Sequence, residues 1–133
     1  MKVRVNPKVH NRQPILFKRE KVGYIQLVSY MTGGATPHIE FAIDEPYRNK
    51  GIMTKELPKY LKYLKKWGHY QLIAIVKCDN QASLNLLESN GFFKVADIKD
   101  KVSYIIDLRL TPEAIVKMQK KINEHFNFEQ KYD

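Results

Sequence analysis

Residues 48 to 54 read Arg48-Asn49-Lys50-Gly51-Ile52-Met53-Thr54, between an apolar strand ending near Ile43 and an amphipathic stretch running to about Trp67. A basic, glycine-bearing turn that opens a helix presents free backbone N–H groups and the positive end of the helix dipole, which suits a pyrophosphate. The helix that follows places Leu57, Tyr60, Leu61, Leu64 and Trp67 on one stripe. Lys55, Lys59, Lys62, Lys65 and Lys66 lie mostly off it. Strand, basic turn and helix in this order place an anion site early in the chain.

Working outward, Leu72 to Val76 is a continuous apolar run, expected of a central strand covered on both faces. A helix is expected from about Gln81 to Asn90, closed by Gly91. Ile15 to Lys18 and Val22 to Tyr30 read as a hairpin around Arg19-Glu20-Lys21, and His38 to Asp44 as the next strand. Met31 to Pro37 is a glycine- and proline-bearing loop. Phe92 to Val95 and Val102 to Leu108 read as a final strand pair joined by the charged residues 97–101. Thr111-Pro112-Glu113 supplies an N-cap, a proline at the first helical position and an early acid. The helix predicted there, over about 112–127, carries Ile115, Met118, Ile122 and Phe126 on one stripe, to be buried on its own domain or in a dimer contact.

The segments Arg48-Asn49-Lys50-Gly51-Ile52-Met53-Thr54 and Asn80-Gln81-Ala82-Ser83, the latter followed by Leu86-Leu87-Glu88 and Gly91-Phe92, together resemble the GNAT N-acetyltransferase superfamily. That family's cofactor turn reads Arg/Gln-x-x-Gly-x-Gly/Ala, and its next helix opens Asn-x-x-Ser. The resemblance covers roughly residues 15 to 108 and is nearest the ribosomal-protein alanine and serine N-acetyltransferase branch. It implies a twisted mixed sheet of about six strands with helices on both faces, and acetyl-CoA as co-substrate. It further implies that backbone groups of Phe41, Ala42 and Ile43 bond the pantetheine arm. N–H groups of Asn49, Lys50, Gly51, Ile52, Met53 and Thr54 would hold the pyrophosphate, with Arg48 or Lys50 near phosphate and Asn80 on the pantetheine amide.

Acetyl transfer to an amine needs a held thioester, a neutral nucleophile and stabilisation of the developing oxyanion, so positioning carries much of it. Glu40, on the strand expected to line the cleft, is the candidate general base; its alternative is a surface or paired carboxylate. The family's frequent tyrosine acid is replaced here by Leu87, leaving Ser83 or water to protonate a thiolate that needs only modest help. Met53 stands where many relatives have a second turn glycine, and a side chain there could crowd the phosphate, but the ribosomal-protein branch commonly has methionine at this position, so it is not read as damage. Pro58 interrupts the first helix and is expected to kink it. Cys78 has no histidine near it in sequence and is expected to be a buried or half-buried inert thiol. The histidines at 10, 38, 69 and 125 show no metal-ligand spacing.

At 133 residues, with 44% hydrophobic and 28% charged residues, the chain is expected to form one domain, 1–133. No apolar run reaches the roughly 18 residues of a membrane span, and the start lacks a signal peptide's apolar core, which predicts a cytoplasmic location. Net charge is +9, concentrated toward the N-terminus, where residues 1 to 21 hold seven Lys or Arg against the single acid Glu20. Relatives usually place a strand and two helices before the hairpin. Here there is room for one strand, Val3 to Val9, so the acceptor side is expected to be open or completed by a second subunit. The reading is an N-acetyltransferase that moves acetyl to a primary amine (protein N-terminus, lysine or small amine) by direct attack in a ternary complex. Its alternatives are a non-catalytic acyl-CoA-binding or interaction module and a basic nucleic-acid-binding protein, the latter resting on charge alone.

Overall fold

The computed structural model describes residues 12–28 and 36–126. The expected first strand, the basic residues before Arg12, most of the loop over 31–37 and the chain beyond 126 lie outside the described residues. The elements are β1 (Gln13–Phe17), β2 (Glu20–Val28), β3 (His38–Ile43), a short 3-10 helix (Glu45–Tyr47), α1 (Ile52–Lys66), β4 (Gln71–Lys77), α2 (Gln81–Ser89), β5 (Phe93–Ile98), β6 (Lys101–Asp107) and α3 (Pro112–Phe126). Their strands form a mixed sheet in the order β1-β2-β3-β4-β6-β5. The chain divides into two compact units, between Leu72 and Ile73.

In the first unit β1, β2 and β3 pair antiparallel, with Gln13 opposite Ile25 and Gln26 opposite Glu40. The hairpin turn is tighter than expected. Lys18 and Arg19 alone form it, both at positive φ, as a two-residue turn matched to strand twist demands. Gly23 is required by a close approach. A Cβ there would collide with the Ala42 carbonyl oxygen across the β2–β3 pair. Ile25, Leu27 and Ile39 are buried, while Tyr24, Gln26, Glu40 and Ala42 alternate onto a half-buried face. α1 buries Ile52, Met53, Leu57, Tyr60, Leu61 and Leu64, with the Tyr60 hydroxyl bonded to the Leu27 backbone. Complete burial of Leu57 and Leu64 contributes about 1.5–3 kcal/mol each. Trp67, expected on this stripe, is instead the half-buried C-cap. α1 continues through Pro58, whose exposed position leaves the Thr54 carbonyl, also at an exposed residue, to water.

In the second unit β5 and β6 pair antiparallel around the two-residue turn Lys99-Asp100, shorter than the expected loop, with a bulge between Lys94 and Ala96. α2 is capped at one end by Asn80 and at the other by Gly91, whose φ of 94° and the bond from the Phe92 N–H to the Leu87 carbonyl close the helix. α3 starts as predicted: the Thr111 hydroxyl accepts from the Ala114 N–H. It docks on β5, where the Gln119 side chain grips both backbone groups of Lys94, accepting from its N–H (2.6 Å) and donating to its carbonyl (3.0 Å). Of its stripe, Ile115 and Ile122 are half-buried and Met118 is exposed.

β4 corrects one expectation. Leu72 and Ala74 are buried, but Ile75 is 41% exposed and Ile73 and Val76 are half-buried. A run of β-branched residues reports strand propensity as well as burial, so its apolar composition overstated the second face.

Candidate active site

Three features of the first unit shape the turn before α1. Gly51 is the N-cap at φ 72°, with no side-chain oxygen capping the helix and no acid in its first turn. The leading N–H groups of α1 therefore keep their outward donors, since a helix supplies no internal partner for them. A Cβ at Gly51 would meet nothing within 4 Å, so the approach to these donors is open. Asn49 also adopts positive φ, 64°, which folds the turn back before Gly51. Met53, which stands where many relatives have a second turn glycine, is buried with Ile52, so its side chain takes no space from the turn.

Arg48 sits at the C-cap of the 3-10 helix, and its Nε donates to the Ile43 carbonyl at 2.9 Å. This ties the head of the turn to the end of β3, beside Phe41 and Ala42. The Tyr47 hydroxyl donates to Glu20 Oε2 at 2.8 Å, and the Tyr47 ring meets Phe17 edge-on, anchoring the same segment to the β1–β2 hairpin. Sharing its proton with Glu20 raises the Tyr47 pKa. The sequence reading missed this brace, whose partners are far apart along the chain.

Glu40 is held rather than loose. Gln26 Nε2 donates to Glu40 Oε1 at 2.9 Å across the β2–β3 pair, and Arg12 Nε donates to Gln26 Oε1 at 3.2 Å, with the Arg12 guanidinium 3.9 Å over the Tyr24 ring. The amide dipole of Gln26 fixes the carboxylate on the half-buried face. The register that puts Gln26 opposite Glu40 is invisible to a reading of either strand alone.

In the second unit Asn80 and Ser83 stand together at the start of α2. Asn80 Oδ1 accepts from the Ser83 N–H at 3.2 Å, an N-cap role the sequence reading did not assign although Asn is a favoured cap. The Asn80 Nδ2 donor is not used by that cap, and the Ser83 side chain is half-exposed. Leu87, at the expected position of a tyrosine, is fully buried. Tyr104 lies near it instead, but its hydroxyl donates to Glu88 Oε2 at 2.5 Å, and burial with that carboxylate pushes its pKa well above the ordinary phenol value. It is a structural donor. Cys78, expected buried or half-buried, is exposed in the turn after β4, where its backbone N–H donates to the Asp100 carbonyl. Among the described residues no group of His, Cys, Asp or Glu is arranged to hold a metal, and no helix is long and apolar enough to cross a membrane.

The chain is similar to several solved structures. A candidate acetyltransferase of Salmonella typhimurium, yncA, solved with its cofactor acetyl-CoA, shares 19% identity at a TM-score of 0.62, over 69% of this chain and 61% of that one. The ribosomal-protein-S5-alanine acetyltransferase of Vibrio fischeri shares 19% at 0.60, over 68% and 56%. PH1933 of Pyrococcus horikoshii OT3 shares 28% at 0.60, over 71% and 63%. The chain thus spans less than two thirds of each of these proteins. At identities under 25% the likeness speaks for the fold. No curated protein sequence matches. The model of the acetyltransferase (GNAT) family, whose members use acetyl-CoA, matches residues 7–92, well over half of the chain. With that match, the mixed α/β sheet and the uncapped basic turn at Gly51, the chain belongs to the GNAT acetyltransferase family.

Proposed function

We propose that this chain is an acetyl-CoA-dependent N-acetyltransferase, a single functional domain that acetylates a primary amine by direct attack in a ternary complex. The observation that carries the reading is the open N-terminus of α1: an N-cap glycine, no capping side chain, no acid, and Arg48, Lys50 and Lys55 around it. Such an arrangement fits a pyrophosphate, because its donors and dipole are set before the ligand arrives.

In this reading the N–H groups of Asn49 to Thr54 hold the pyrophosphate, with Lys50 adding charge. Arg48, fixed on the Ile43 carbonyl, sets the distance between the turn and the end of β3. Backbone groups of Phe41, Ala42 and Ile43 align the pantetheine arm, and the Asn80 amide donates to it through Nδ2. Bound acetyl-CoA supplies the activated thioester. Glu40, oriented by Gln26, takes a proton from the acceptor ammonium, directly or through a water, and so frees the amine lone pair for attack on the carbonyl carbon. The C–N bond forms and the C–S bond breaks; the attacking nitrogen gives up its second proton, which Ser83 or a water relays to the departing sulfur. The acceptor is a protein N-terminus, a lysine or a small amine.

The test is to incubate the chain with acetyl-CoA and a panel of peptides with free N-termini, lysine peptides and small amines, following thiol release and acceptor mass. Acetylation of one class, abolished by Glu40→Gln, supports the reading. Acetyl-CoA binding without turnover of any acceptor supports an acyl-CoA-binding module instead.

A further inference from the structure

The C-terminal half of α1 carries a second basic feature, beyond the Gly51 turn that opens the helix. A groove of about 620 Å³ is lined by Lys59, Lys62, Tyr63, Lys65, Lys66 and Tyr70, with no acid in its wall. Helical spacing puts lysines on successive turns, so Lys59 to Lys66 extend over roughly 10 Å of surface. The wall is completed by a reversal of the chain. Gly68, at φ 84°, and the bond from the His69 N–H to the Leu64 carbonyl turn the backbone after α1, and Tyr70 joins the same groove. Tyr70 is 37% exposed and Tyr63 half-buried.

Helix stability explains only part of this. Lys65 and Lys66 lie in the last turn, where cations complement the helix dipole. Lys59 and Lys62 lie further back, and the tyrosines gain nothing from a dipole. Glu56 is the nearest acid in sequence, and its 3.7 Å pair with Lys59 is solvent-exposed and weak.

We propose that this groove is a docking surface for single-stranded nucleic acid, with phosphates on Lys59, Lys62, Lys65 and Lys66 and bases against Tyr63 and Tyr70. Charge complementarity selects a polyanion, and the aromatic walls select one with flat rings. An acidic peptide satisfies the lysines but leaves the ring faces unused. A duplex hides its bases from them. The surface is independent of the acetyl-transfer reading.

Fluorescence anisotropy of the full chain with a labelled single-stranded RNA of about 12 nucleotides tests it, across a salt series. The expected result is saturable binding with a log–log salt slope of about −2 to −3, from roughly −0.7 per neutralised phosphate. Lys62→Glu with Lys66→Glu weakens binding at least ~10-fold and flattens the slope by roughly 1.4. Tyr70→Ala, folded by circular dichroism, weakens it about 5-fold or more. Absence of binding at low salt overturns the proposal, as does affinity unchanged in both variants. So does competition by polyglutamate as effective as by unlabelled RNA, or tighter binding of the matching duplex.

Discussion

The Arg48 guanidinium folds back on the end of β3, its Nε 2.9 Å from the Ile43 carbonyl. One charge-assisted bond thereby links the two backbone segments assigned to the pantetheine and the pyrophosphate. Because the pair is exposed, Arg48→Ala is expected to change stability by less than about 1 kcal/mol while weakening acetyl-CoA binding roughly tenfold. Arg48→Lys recovers only part of the affinity, since an ammonium lacks the planar fork. Thermal melts and calorimetric titration of both variants separate the two effects.

Glu40→Gln removes the proposed base but keeps the shape and the contact with Gln26. Its kcat is expected to fall by roughly 10²–10⁴ with the KM for acetyl-CoA unchanged. Gln26→Leu leaves the carboxylate in place without the Gln26 donor, and a smaller fall in kcat is predicted. Equal activity of Glu40→Gln and the native chain across pH removes Glu40 from the mechanism.

Asn80 has a structural duty and a proposed binding one, and two substitutions separate them. Asn80→Asp retains the cap oxygen facing the Ser83 N–H, so stability holds, whereas Asn80→Ala costs about 1 kcal/mol. Both lose the amide donor, so both weaken acetyl-CoA binding. If the aspartate variant binds as the native chain does, Asn80 is a cap and nothing more.

Burial raises the Tyr60 pKa from 10.0 to about 12, against a smaller lowering by its bond to the Leu27 backbone. Folding therefore prefers the neutral phenol. That contribution is complete below pH 10 and is lost as pH rises through about 12. Tyr104 is shifted in the same direction. Thermal melts on an alkaline series should show the melting temperature falling across this window. Tyr60→Phe, which has no proton to lose there, should flatten the fall. An identical slope in the variant contradicts the assignment.

Local signals made the periodic elements legible. The apolar spacing of α1, the Thr111-Pro112 start of α3 and Gly91 at the end of α2 each act within a few residues, and each stands where the sequence put it. Long-range relations were not legible. Gln26 meets Glu40 only through strand register, Tyr47 meets Glu20 only through the turn of the chain, and Gln119 grips Lys94 only after α3 docks. Side-chain direction was equally hidden: the Met53 side chain is buried in the core rather than set at the Gly51 turn. The candidate site was legible as a motif because its donors are backbone groups, whose placement depends on one glycine and a helix start. The hold on Glu40 depends on a neighbouring strand.

The N-terminus of α1 is the proposed acetyl-CoA site. Calorimetric titration of the native chain and of Gly51→Glu with acetyl-CoA and with CoA tests it most directly. The substitution puts a carboxylate at the open donors, in a left-handed conformation that costs about 1–2 kcal/mol, and circular dichroism checks that the variant stays folded. Saturable binding of both ligands by the native chain, lost in folded Gly51→Glu, is the predicted result. No binding by the native chain, or equal binding by the variant, contradicts the account.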